Sequence, residues 1–497
     1  MILAIDQGTT NTKALLVDGE GRPRARASAA MRVTTRNANW VEQDPEEIWQ
    51  SVLEAVRACL KQLPDAAVAG VAISNQRETV VAWERRSGRP VAPAIVWQCR
   101  RSEAICERLR ADGLVEMLRE RTGLAIDTLF SASKMRWLLE NVDGLRERAE
   151  AGEVCFGTVD SWLIARLTEG RVHACDAGNA SRTQLLNLER CAWDEELLRV
   201  FRVPRAALPE VRDSSGCFGR CSGLARLKDV SIVSAMGDSH AAMAGHGLYR
   251  PGTVKATYGT GSSLMTLLPG RGALVEGLAT TVAWRLGGVT QYALEGNITM
   301  TGAGVAWVGE FLGLPDSVEG ATKLANSVVS SEGVYFVPAM SGLGAPYWDG
   351  RAQGCLSGLT RTSRAAHMAR AAVEAIAFQV RDVFDAMAAG AGCELPALHA
   401  DGGATRNDAL MQFQADLLGR PVMRSGCEDL SALGAAWFGG LALGWWTSTV
   451  DLERRPQEAQ SFLPRMEPAE GARRYAGWKT AVKRARLQRF AEGGAHA

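Results

Sequence analysis

Two short segments combine glycine with hydroxyl side chains in a pattern suited to binding phosphate groups. The first is Asp6–Lys13 (DQGTTNTK), which lies between the apolar runs Ile2–Ile5 and Ala14–Val17. In a tight turn, glycine lets backbone N–H groups point at an anion, threonine hydroxyls are further donors, and a lysine adds positive charge. The second, Tyr258–Ser262 (YGTGS), offers a similar set half a chain later. The pair predicts two turns that hold a nucleotide from opposite sides, although either alone could be an ordinary turn.

Asp6 and a third glycine-rich element extend this hypothesis. Mg²⁺ is commonly held through one or two carboxylates and several waters, so Asp6 is a candidate magnesium ligand. The element Ala400–Asn407 (ADGGATRN) follows a predicted strand over 397–400 and opens a predicted helix over 407–418. A helix N-terminus favours an anion or the polar edge of a ring, so we predict an adenosine site here. A tight loop without a ligand is the alternative.

Candidate residues for a hydroxylated substrate follow two other apolar runs. Arg77 and Glu78 are adjacent opposite charges after a predicted strand over 68–74. Such a pair can hydrogen-bond the hydroxyl groups of a polyol, or it can be a surface ion pair. Trp97 could stack on a carbon skeleton, although a lone tryptophan is more typical of a core.

Asp238 is the candidate catalytic carboxylate. It follows a predicted buried strand over 230–234, and ligands of open α/β sheets bind where strands end. There it could accept a proton from an attacking hydroxyl group. His240 and His246 lie nearby but lack a third metal ligand, so capping or core roles are favoured for them.

The composition favours a well-packed protein that acts on small molecules. Hydrophobic residues make up 46% of the 497 residues, and 56 Lys and Arg oppose 55 Asp and Glu, so the net charge of +1 gives no electrostatic case for nucleic acid or anionic membranes. The sequence contains no run of about 18 apolar residues, so no membrane span is predicted.

The eleven cysteines include no C-x-x-C pair, which favours reduced thiols in a cytoplasmic protein. Because a strand begins at residue 2, we expect no leader peptide. The basic stretch Lys479–Arg486 is expected to be a solvated helix face.

Two similar α/β halves would position these residues. Asp44 is the predicted cap of a helix that starts at Pro45. The predicted strands cover residues 2–6, 13–18, 24–33, 68–74, 79–83, 280–285, 289–294 and 334–338, with further helices near 303–311 and 364–389. The pattern of apolar run, Gly-Thr turn and apolar run occurs once in each half. We therefore predict an α/β fold with a boundary near 245–251.

Together these residues resemble the FGGY carbohydrate kinases, and within that family the glycerol kinases, over nearly the whole chain. The resemblance is carried by Asp6–Thr10 (DQGTT), Trp40–Pro45 (WVEQDP), Asn75–Thr79 (NQRET), Ile95–Gln98 (IVWQ), Phe156–Asp160 (FGTVD), Asn179–Thr183 (NASRT), and Gly354–Leu359 (GCLSGL) with His367 and Ala371–Glu374. It implies two actin-like ATPase (ribonuclease H-like) domains with the active site in the cleft between them. Residues 1–246 would bind the polyol or sugar and supply the catalytic base, and residues 247–497 would bind adenosine. The resemblance also implies ATP, Mg²⁺ and a homodimer or homotetramer.

The resemblance further implies roles for individual residues. Asp238 is the implied general base and Asp6 the implied magnesium ligand. The implied substrate contacts are Arg77, Glu78, Trp97 and Asp238. The implied ATP contacts are Thr9, Thr10, Asn11, Lys13, Thr260, Gly261, Gly302, Gly403 and Asn407.

Three positions of the substrate site depart from the glycerol kinase pattern. Leu129 replaces a tyrosine whose hydroxyl touches the substrate, Ser239 replaces a glutamine after the base, and Ser263 replaces a phenylalanine that walls the pocket. Loss of two aromatic side chains near Trp97 should enlarge the pocket, and loss of the tyrosine hydroxyl changes a hydrogen bond on which discrimination depends. We therefore expect a polyol or ketose of four to five carbons, with glycerol as the alternative.

Two other classes of protein share parts of this pattern. Gly237-Asp238-Ser239 resembles the nucleophile block of GDS-type hydrolases, but that family places the block near the start of the chain, with Asp-x-x-His near the end. Actin-like ATPase domains also serve filaments and chaperones, which lack the Arg77, Glu78 and Trp97 constellation. The favoured reaction is therefore in-line attack of a primary hydroxyl, deprotonated by Asp238, on the γ-phosphoryl group of ATP.

Overall fold

The computed structural model describes residues 1–37, 39–455 and 458–487 and confirms the predicted α/β class. Contacts between residues divide the chain into two compact units. Unit 1 consists of Met1–Tyr249, Thr280–Ala293 and Asp429–Pro456, and unit 2 consists of Arg250–Ala279, Leu294–Glu428 and Gln457–Ala497. Each unit is therefore assembled from three separate stretches of chain. The division of roles between residues 1–246 and 247–497 stays a prediction.

The strands of both units are mostly short. They are β1 (Ile2–Gln7), β2 (Asn11–Val17), β3 (Pro23–Ala30), β4 (Thr34–Asn37), β5 (Trp40–Gln43), β6 (Gly70–Asn75), β7 (Val81–Glu84), β8 (Ala94–Ile95), β9 (Val154–Gly157), β10 (Ala174–Asp176), β11 (Leu186–Asn187), β12 (Ala192–Trp193), β13 (Glu210–Arg212), β14 (Ile232–Gly237), β15 (Val254–Tyr258), β16 (Ser262–Leu267), β17 (Ala279–Leu286), β18 (Val289–Ile298), β19 (Tyr335–Val337), β20 (Cys355–Ser357), β21 (Leu398–Asp401), β22 (Val422–Ser425) and β23 (Ala459–Phe462).

The helices range from one turn to 26 residues. They are α1 (Pro45–Gln62), α2 (Glu103–Ala111), α3 (Val115–Thr122), α4 (Ser131–Asn141), α5 (Leu145–Glu150), α6 (Val159–Leu167), α7 (Ala177–Ser181), α8 (Glu195–Phe201), α9 (Asp238–Gly245), α10 (Gly302–Phe311), α11 (Ser317–Ala325), α12 (Ala365–Gly390), α13 (Asp408–Leu418), α14 (Leu430–Ala442), α15 (Thr449–Glu453) and α16 (Pro468–Arg486).

The main sheet of unit 1 has the strand order β14–β6–β1–β2–β3. Strand β1 runs parallel to β6 and antiparallel to β2, and β14 runs parallel to β6. Residues Ile2–Ile5 are completely buried, as expected for a central strand covered on both faces. Because β1, β6 and β14 are parallel, their carboxyl ends lie along one edge of the sheet.

Helices α1 and α14 cover opposite faces of this sheet. The start of α1 is the predicted one, because the side chain of Asp44 accepts a hydrogen bond from the N–H of Glu46 (2.9 Å). Val71 and Ile73 of β6 belong to the core that contains the apolar face of α1. Ala72 points the other way, towards Gly439 of α14, because successive side chains of a strand alternate between faces.

A second hydrophobic core in unit 1 holds the helices that flank the predicted substrate residues. It joins β7 and β9 to α2, α4 and α8 through side chains such as Leu109, Leu138, Phe156 and Phe201. This core anchors α4, whereas α7 is also tied to the main sheet, because the amide of Asn75 on β6 donates to Asn179 of α7 (3.0 Å).

The main sheet of unit 2 repeats the strand order of unit 1. Its order is β17–β18–β16–β15–β21–β22–β23, in which β18–β16–β15–β21–β22 correspond to the five strands of unit 1. Strand β15 is antiparallel to β16 and parallel to β21, which is parallel to β22. Each predicted glycine–threonine turn thus joins two antiparallel strands in the middle of its own sheet.

Two predictions from composition concern the chain as a whole. All eleven cysteines are free thiols. Within the described ranges, no helix combines the length and the apolar character needed to cross a bilayer.

Candidate functional site

The predicted residues of unit 1 lie at the edge of the sheet where β1, β6 and β14 end. Asp6 is the next-to-last residue of β1, Arg77 and Glu78 follow β6, and Asp238 directly follows β14. The strands pair in register up to this edge. Open α/β sheets bind ligands at the carboxyl ends of their strands. The fold of unit 1 thus places these four side chains at one edge of the sheet.

The turn between β1 and β2 brings two predicted sites into contact. Its backbone is closed by the N–H of Gly8, which donates to the carbonyl of Asn11 (3.0 Å). Thr10 and Asn11 are exposed. The hydroxyl oxygen of Thr9 accepts a hydrogen bond from the indole N–H of Trp97 (3.0 Å). A residue predicted to bind the nucleotide therefore contacts a residue predicted to bind the substrate.

Asp6 has an unusual electrostatic environment. Burial raises the pKa of its carboxyl group to about 6, despite the opposing effects of Lys13 and of a hydrogen bond from the Ser74 hydroxyl (2.9 Å). The negative charge of Asp238 also raises this pKa. Lys13 forms an ion pair with Asp429 (Nζ to Oδ1, 2.9 Å). A carboxylate that is desolvated and lies near a second carboxylate favours a nearby cation.

Asp238, the predicted base, is oriented by neighbours but open to a ligand. It is the first residue of α9, and its side chain is 40% exposed. Its Oδ1 lies 3.2 Å from Nε of Arg77, whose side chain is 6% exposed, and accepts a hydrogen bond from the N–H of Ser239 (2.6 Å). His240 is completely buried, with Nε2 at 3.5 Å from Nη1 of Arg77. The geometry of His240 is that of a core residue.

Glu78 and the substituted position Leu129 lie on neighbouring elements. Glu78 is buried and has a φ of +62°, and its Oε1 accepts a hydrogen bond from Nε of Arg182 (2.6 Å). Leu129 is half-buried just before α4, and its N–H donates to Oδ1 of Asp127 (2.8 Å). Ser239, the second substituted position, is buried beside Asp238.

In unit 2, three predicted ATP contacts form one backbone cluster. The N–H of Gly302, at the start of α10, donates to the carbonyl of Gly259 (3.0 Å), and the N–H of Ala303 donates to the carbonyl of Thr260 (3.0 Å). A Cβ atom at Gly302 would lie 2.7 Å from the Gly259 oxygen, and one at Gly261 would lie 2.5 Å from a carbonyl of β18. Glycine is therefore required at both positions for this close approach.

The loop before α13 lies beside this cluster. Gly402 has a φ of +98°, and a Cβ atom there would lie 2.4 Å from the carbonyl oxygen of Tyr258. Gly403 has open space where its side chain would be. The side chain of Asn407 accepts hydrogen bonds from two N–H groups in the first turn of α13 (3.1 and 3.2 Å). Asn407 is thus the N-cap residue of α13.

Ser263, the third substituted position, is part of a polar pair. It lies on β16, and its hydroxyl donates to Oε1 of Glu295 on β18 (3.1 Å). Glu295 is completely buried. A phenylalanine at this position could not form such a hydrogen bond, so the substitution changes the character of this surface from apolar to polar.

Sequence reasoning missed the partners of several predicted residues. Glu295, Arg182 and Asp429 pair with Ser263, Glu78 and Lys13 across 32, 104 and 416 residues of sequence. Buried charges require compensating partners. Their identity depends on the tertiary fold.

Within each unit, the grouped residues suit a distinct part of one reaction. Unit 1 presents an accessible carboxylate, a buried guanidinium and a buried carboxylate, which can orient and deprotonate a hydroxyl group and favour a cation. Unit 2 presents a glycine-rich turn against a helix N-terminus, an arrangement that can bind phosphate.

Comparisons with known proteins identify the family. Residues 1–245 match the N-terminal domain, and residues 254–443 the C-terminal domain, of the FGGY family of carbohydrate kinases. The chain is 48% identical to an apulose kinase of Pectobacterium atrosepticum, over 98% of this chain and 99% of that protein. It is also 48% identical to a glycerol kinase of Citrifermentans bemidjiense, over 97% and 98%. The crystal structure of Plasmodium falciparum glycerol kinase with ADP matches with a TM-score of 0.90 and 30% identity, over 98% of both chains.

These matches define a phosphotransferase that acts on an alcohol group of a polyol or sugar. The chain belongs to the FGGY family of carbohydrate kinases. Kinases of this family use ATP, and the predicted family, fold and enzyme class are confirmed.

Proposed function

We propose that this kinase phosphorylates a primary hydroxyl group of a four- or five-carbon polyol or ketose. The observation that carries the proposal is the group at the edge of the unit 1 sheet. Arg77 and Glu78 offer a donor and an acceptor for substrate hydroxyls, and Asp238 lies 3.2 Å from Arg77 with its side chain 40% exposed. A polyol needs such alternating donors and acceptors.

In the proposed mechanism, Asp238 accepts the proton of the attacking hydroxyl. Arg77 holds the carboxylate of Asp238 in place, while Glu78 and Trp97 position the carbon chain of the substrate. The attacking oxygen then bonds to the γ-phosphorus as the bond to the β–γ bridging oxygen breaks, and ADP leaves. Since phosphoryl transfer passes through a loose transition state, positioning should matter more than the strength of the base.

We propose that ATP is bound by the two glycine–threonine turns and the loop before α13. Thr9, Thr10, Asn11 and Lys13 would contribute from unit 1. The proposed contributors from unit 2 are Thr260, Gly261, Gly302, Gly403 and Asn407. Exposed donors on the first turn and the tight glycine cluster of the second support this assignment.

We propose Asp6 as the protein ligand of Mg²⁺. The fit rests on the burial of its carboxyl group, which raises its pKa to about 6, and on the nearby charge of Asp238. Asp6 would hold the ion through its carboxylate, the type of oxygen ligand that Mg²⁺ prefers. When bound, Mg²⁺ would neutralise charge on the phosphate oxygens of ATP.

The size of the substrate is inferred from Leu129, Ser239 and Ser263. The hydrogen bond from Ser263 to Glu295 leaves a short polar surface where a phenyl ring would otherwise stand. Leu129 removes a phenol hydroxyl and leaves a smaller apolar side chain. A relative with 48% identity is named an apulose kinase. These observations favour a substrate longer than glycerol.

Glycerol is the second candidate substrate. Relatives named glycerol kinases reach the same 48% identity over nearly the whole chain, so overall similarity does not separate the two candidates. The substituted pocket positions favour the longer substrate.

A coupled ADP-release assay with ATP and Mg²⁺ tests the proposal. The panel would contain glycerol, erythritol, threitol, the pentitols, xylulose, ribulose and apulose. We expect the highest kcat/KM for a four- or five-carbon compound. If glycerol has the highest value, the interpretation of Leu129 and Ser263 is wrong. Turnover that no polyol or sugar raises above the ATPase background would contradict the kinase assignment and favour an actin-like ATPase role.

We also propose that the enzyme is a cytoplasmic homodimer or homotetramer. The free cysteines support a cytoplasmic location, and the resemblance to glycerol kinases implies the oligomer. Light scattering of the purified protein at several concentrations would decide the oligomeric state, and a monomer at all concentrations would contradict it.

A further inference from the structure

The backbone of Glu78 has a conformation that needs support. Its φ of +62° lies in the left-handed region, which non-glycine residues seldom adopt, at a cost on the order of 1 kcal/mol or more. The residue is also only 5% exposed. A buried carboxylate on a strained backbone persists only where surrounding groups hold it.

Arg182 is the group that holds the carboxylate. Its side chain is completely buried, its Nε donates to Oε1 of Glu78 at 2.6 Å, and its guanidinium lies over the ring of Phe130 at 5.0 Å. The planar guanidinium is thus held by a hydrogen bond at its edge and by a ring on its face. Such a site distinguishes arginine from lysine.

The segment that carries Arg182 is itself held firmly. Arg182 directly follows α7, whose N-cap is the buried Asp176. The carboxylate of Asp176 accepts hydrogen bonds from the N–H groups of Gly178 and Asn179 (2.9 and 2.7 Å) and from the Ser214 hydroxyl (2.8 Å). The position of Arg182 is therefore set by the fold.

A second contact holds the main chain of Glu78. The hydroxyl of Ser131, the first residue of α4, donates to the carbonyl oxygen of Glu78 (3.0 Å). The carboxylate and the backbone of Glu78 are therefore held from two different helices, α7 and α4.

We propose that Arg182 is a positioning residue for substrate binding. By engaging Oε1 of Glu78, it determines where the second carboxylate oxygen, Oε2, lies. Oε2 then accepts a hydrogen bond from a hydroxyl group of the polyol or ketose. This inference rests on the proposed function, in which Glu78 binds the substrate.

The test compares R182Q, R182K and E78Q with a matched control, R136Q. Arg136 is also a nearly buried arginine of unit 1, and its Nε pairs with Glu140 at 2.8 Å. Steady-state kinetics would be measured with ATP and the best substrate of the panel. We expect R182Q to raise KM for that substrate at least 10-fold while KM for ATP changes less than 2-fold. R182K should fall between R182Q and the unmodified enzyme, and R136Q should leave both KM values within 2-fold.

A double variant separates positioning from general structural support. If Arg182 acts through Glu78, R182Q/E78Q should have a substrate KM no higher than that of E78Q. The proposal would be overturned if the substrate KM of the double variant rose by the product of the two single-variant factors. An R182Q enzyme with an unchanged substrate KM would also overturn it. If R182Q does not fold, R182K carries the test, with an expected rise of at least 3-fold and an unchanged KM as the contradicting result.

E78Q separates the proposed contact of Glu78 with the substrate from the proposed role of Arg182. If E78Q leaves the substrate KM unchanged, the proposed contact of Glu78 with the substrate fails, and the role of Arg182 fails with it. If E78Q raises KM while R182Q does not, only the role of Arg182 is overturned.

Discussion

At the scale of single residues, the site of unit 1 combines charged side chains that differ in how deeply they are buried. Asp238 is accessible on one side and faces the nearly buried Arg77 on the other. Asp6 is the more deeply buried carboxyl group, with a pKa raised to about 6. The two carboxyl groups therefore lie in different environments, as separate roles as base and metal ligand would require.

Replacement of Asp238 by asparagine tests the proposed base. D238N keeps the size of the side chain but cannot accept the proton, so we expect kcat to fall by at least about 100-fold, or roughly 3 kcal/mol. The matched control is D65N, which changes an exposed carboxylate in the loop after α1 and should leave kcat within about 2-fold. Turnover of D238N close to that of the unmodified enzyme would remove Asp238 from this role.

His173 should make stability depend on pH. Burial lowers the pKa of this histidine from 6.5 to about 4, and its Nε2 contacts the Phe156 carbonyl at 2.9 Å. Between about pH 6.5 and pH 4 the unfolded chain binds a proton that the folded protein does not, so the free energy of unfolding falls as the pH is lowered through this range. Because His173 is only half-buried, we expect its titration to lower the free energy of unfolding by about 1–2 kcal/mol across this pH range.

The measurement is urea unfolding of the unmodified protein and of H173Q at pH 7 and pH 4.5. Subtraction of the two proteins cancels the titration of the carboxyl groups. H173Q should lose less stability between these pH values. An equal loss in both proteins would show that His173 does not titrate in this way.

At the scale of elements, α9 carries Asp238 and packs unusually closely on α14. A Cβ atom at Gly434 of α14 would lie 1.8 Å from the carbonyl oxygen of Ala241, and one at Gly245 of α9 would lie 2.1 Å from that of Leu430. The two backbones touch because glycine occupies both contact points. The position of Asp238 therefore depends on two glycines outside any recognised motif.

Substitution of Gly434 by alanine should separate the two helices. We expect G434A to lower the free energy of unfolding by about 2–3 kcal/mol, within the upper range for overpacking, and to lower kcat because α9 shifts. G19A is the matched control, since a Cβ atom at Gly19 meets nothing within 4 Å. Urea unfolding and the kinase assay would be performed on both variants. Stability of G434A equal to that of G19A would show that the helices adjust without cost.

Local elements were predicted well where their signals are local. The run Ile2–Ile5, the cap at Asp44 and the turn at Gly8 each depend on neighbouring residues, and the structure has β1, α1 and the turn at these places. Helix α14 is apolar on nearly every side, so its sequence does not indicate which sheet it covers. The pairing of Glu78 with Arg182 was beyond prediction because 104 residues separate them.

At the scale of the whole molecule, unit 1 is not a continuous half of the chain. The stretch Asp429–Pro456 returns to unit 1 after most of unit 2 has been formed. Helix α14, within this stretch, covers the face of β6 opposite to α1 and buries Ala432, Ala435 and Phe438. The predicted boundary near residue 246 reflects a change in the local sequence pattern. Unit 1 also includes stretches of chain that come after this boundary.

A fragment of residues 1–246 should therefore not fold stably alone. Without α14, one apolar face of the main sheet would be exposed to water, at a cost of roughly 25 cal/mol per Å². We expect the fragment to aggregate or to unfold without a cooperative thermal transition, as followed by circular dichroism. Addition of a peptide of residues 426–455 should increase its stability. A sharp transition for the fragment alone would contradict this expectation.

The late position of α14 also affects how the enzyme is made. During translation, one face of the first sheet stays uncovered until about 200 further residues, from Arg250 to the end of the returning stretch, have been synthesised. At 5–20 residues per second this takes roughly 10–40 s. Over that interval the nascent chain presents an apolar surface on the ribosome, a natural binding site for a chaperone. The rate at which the cell translates the middle of this message should therefore influence how much active kinase it obtains.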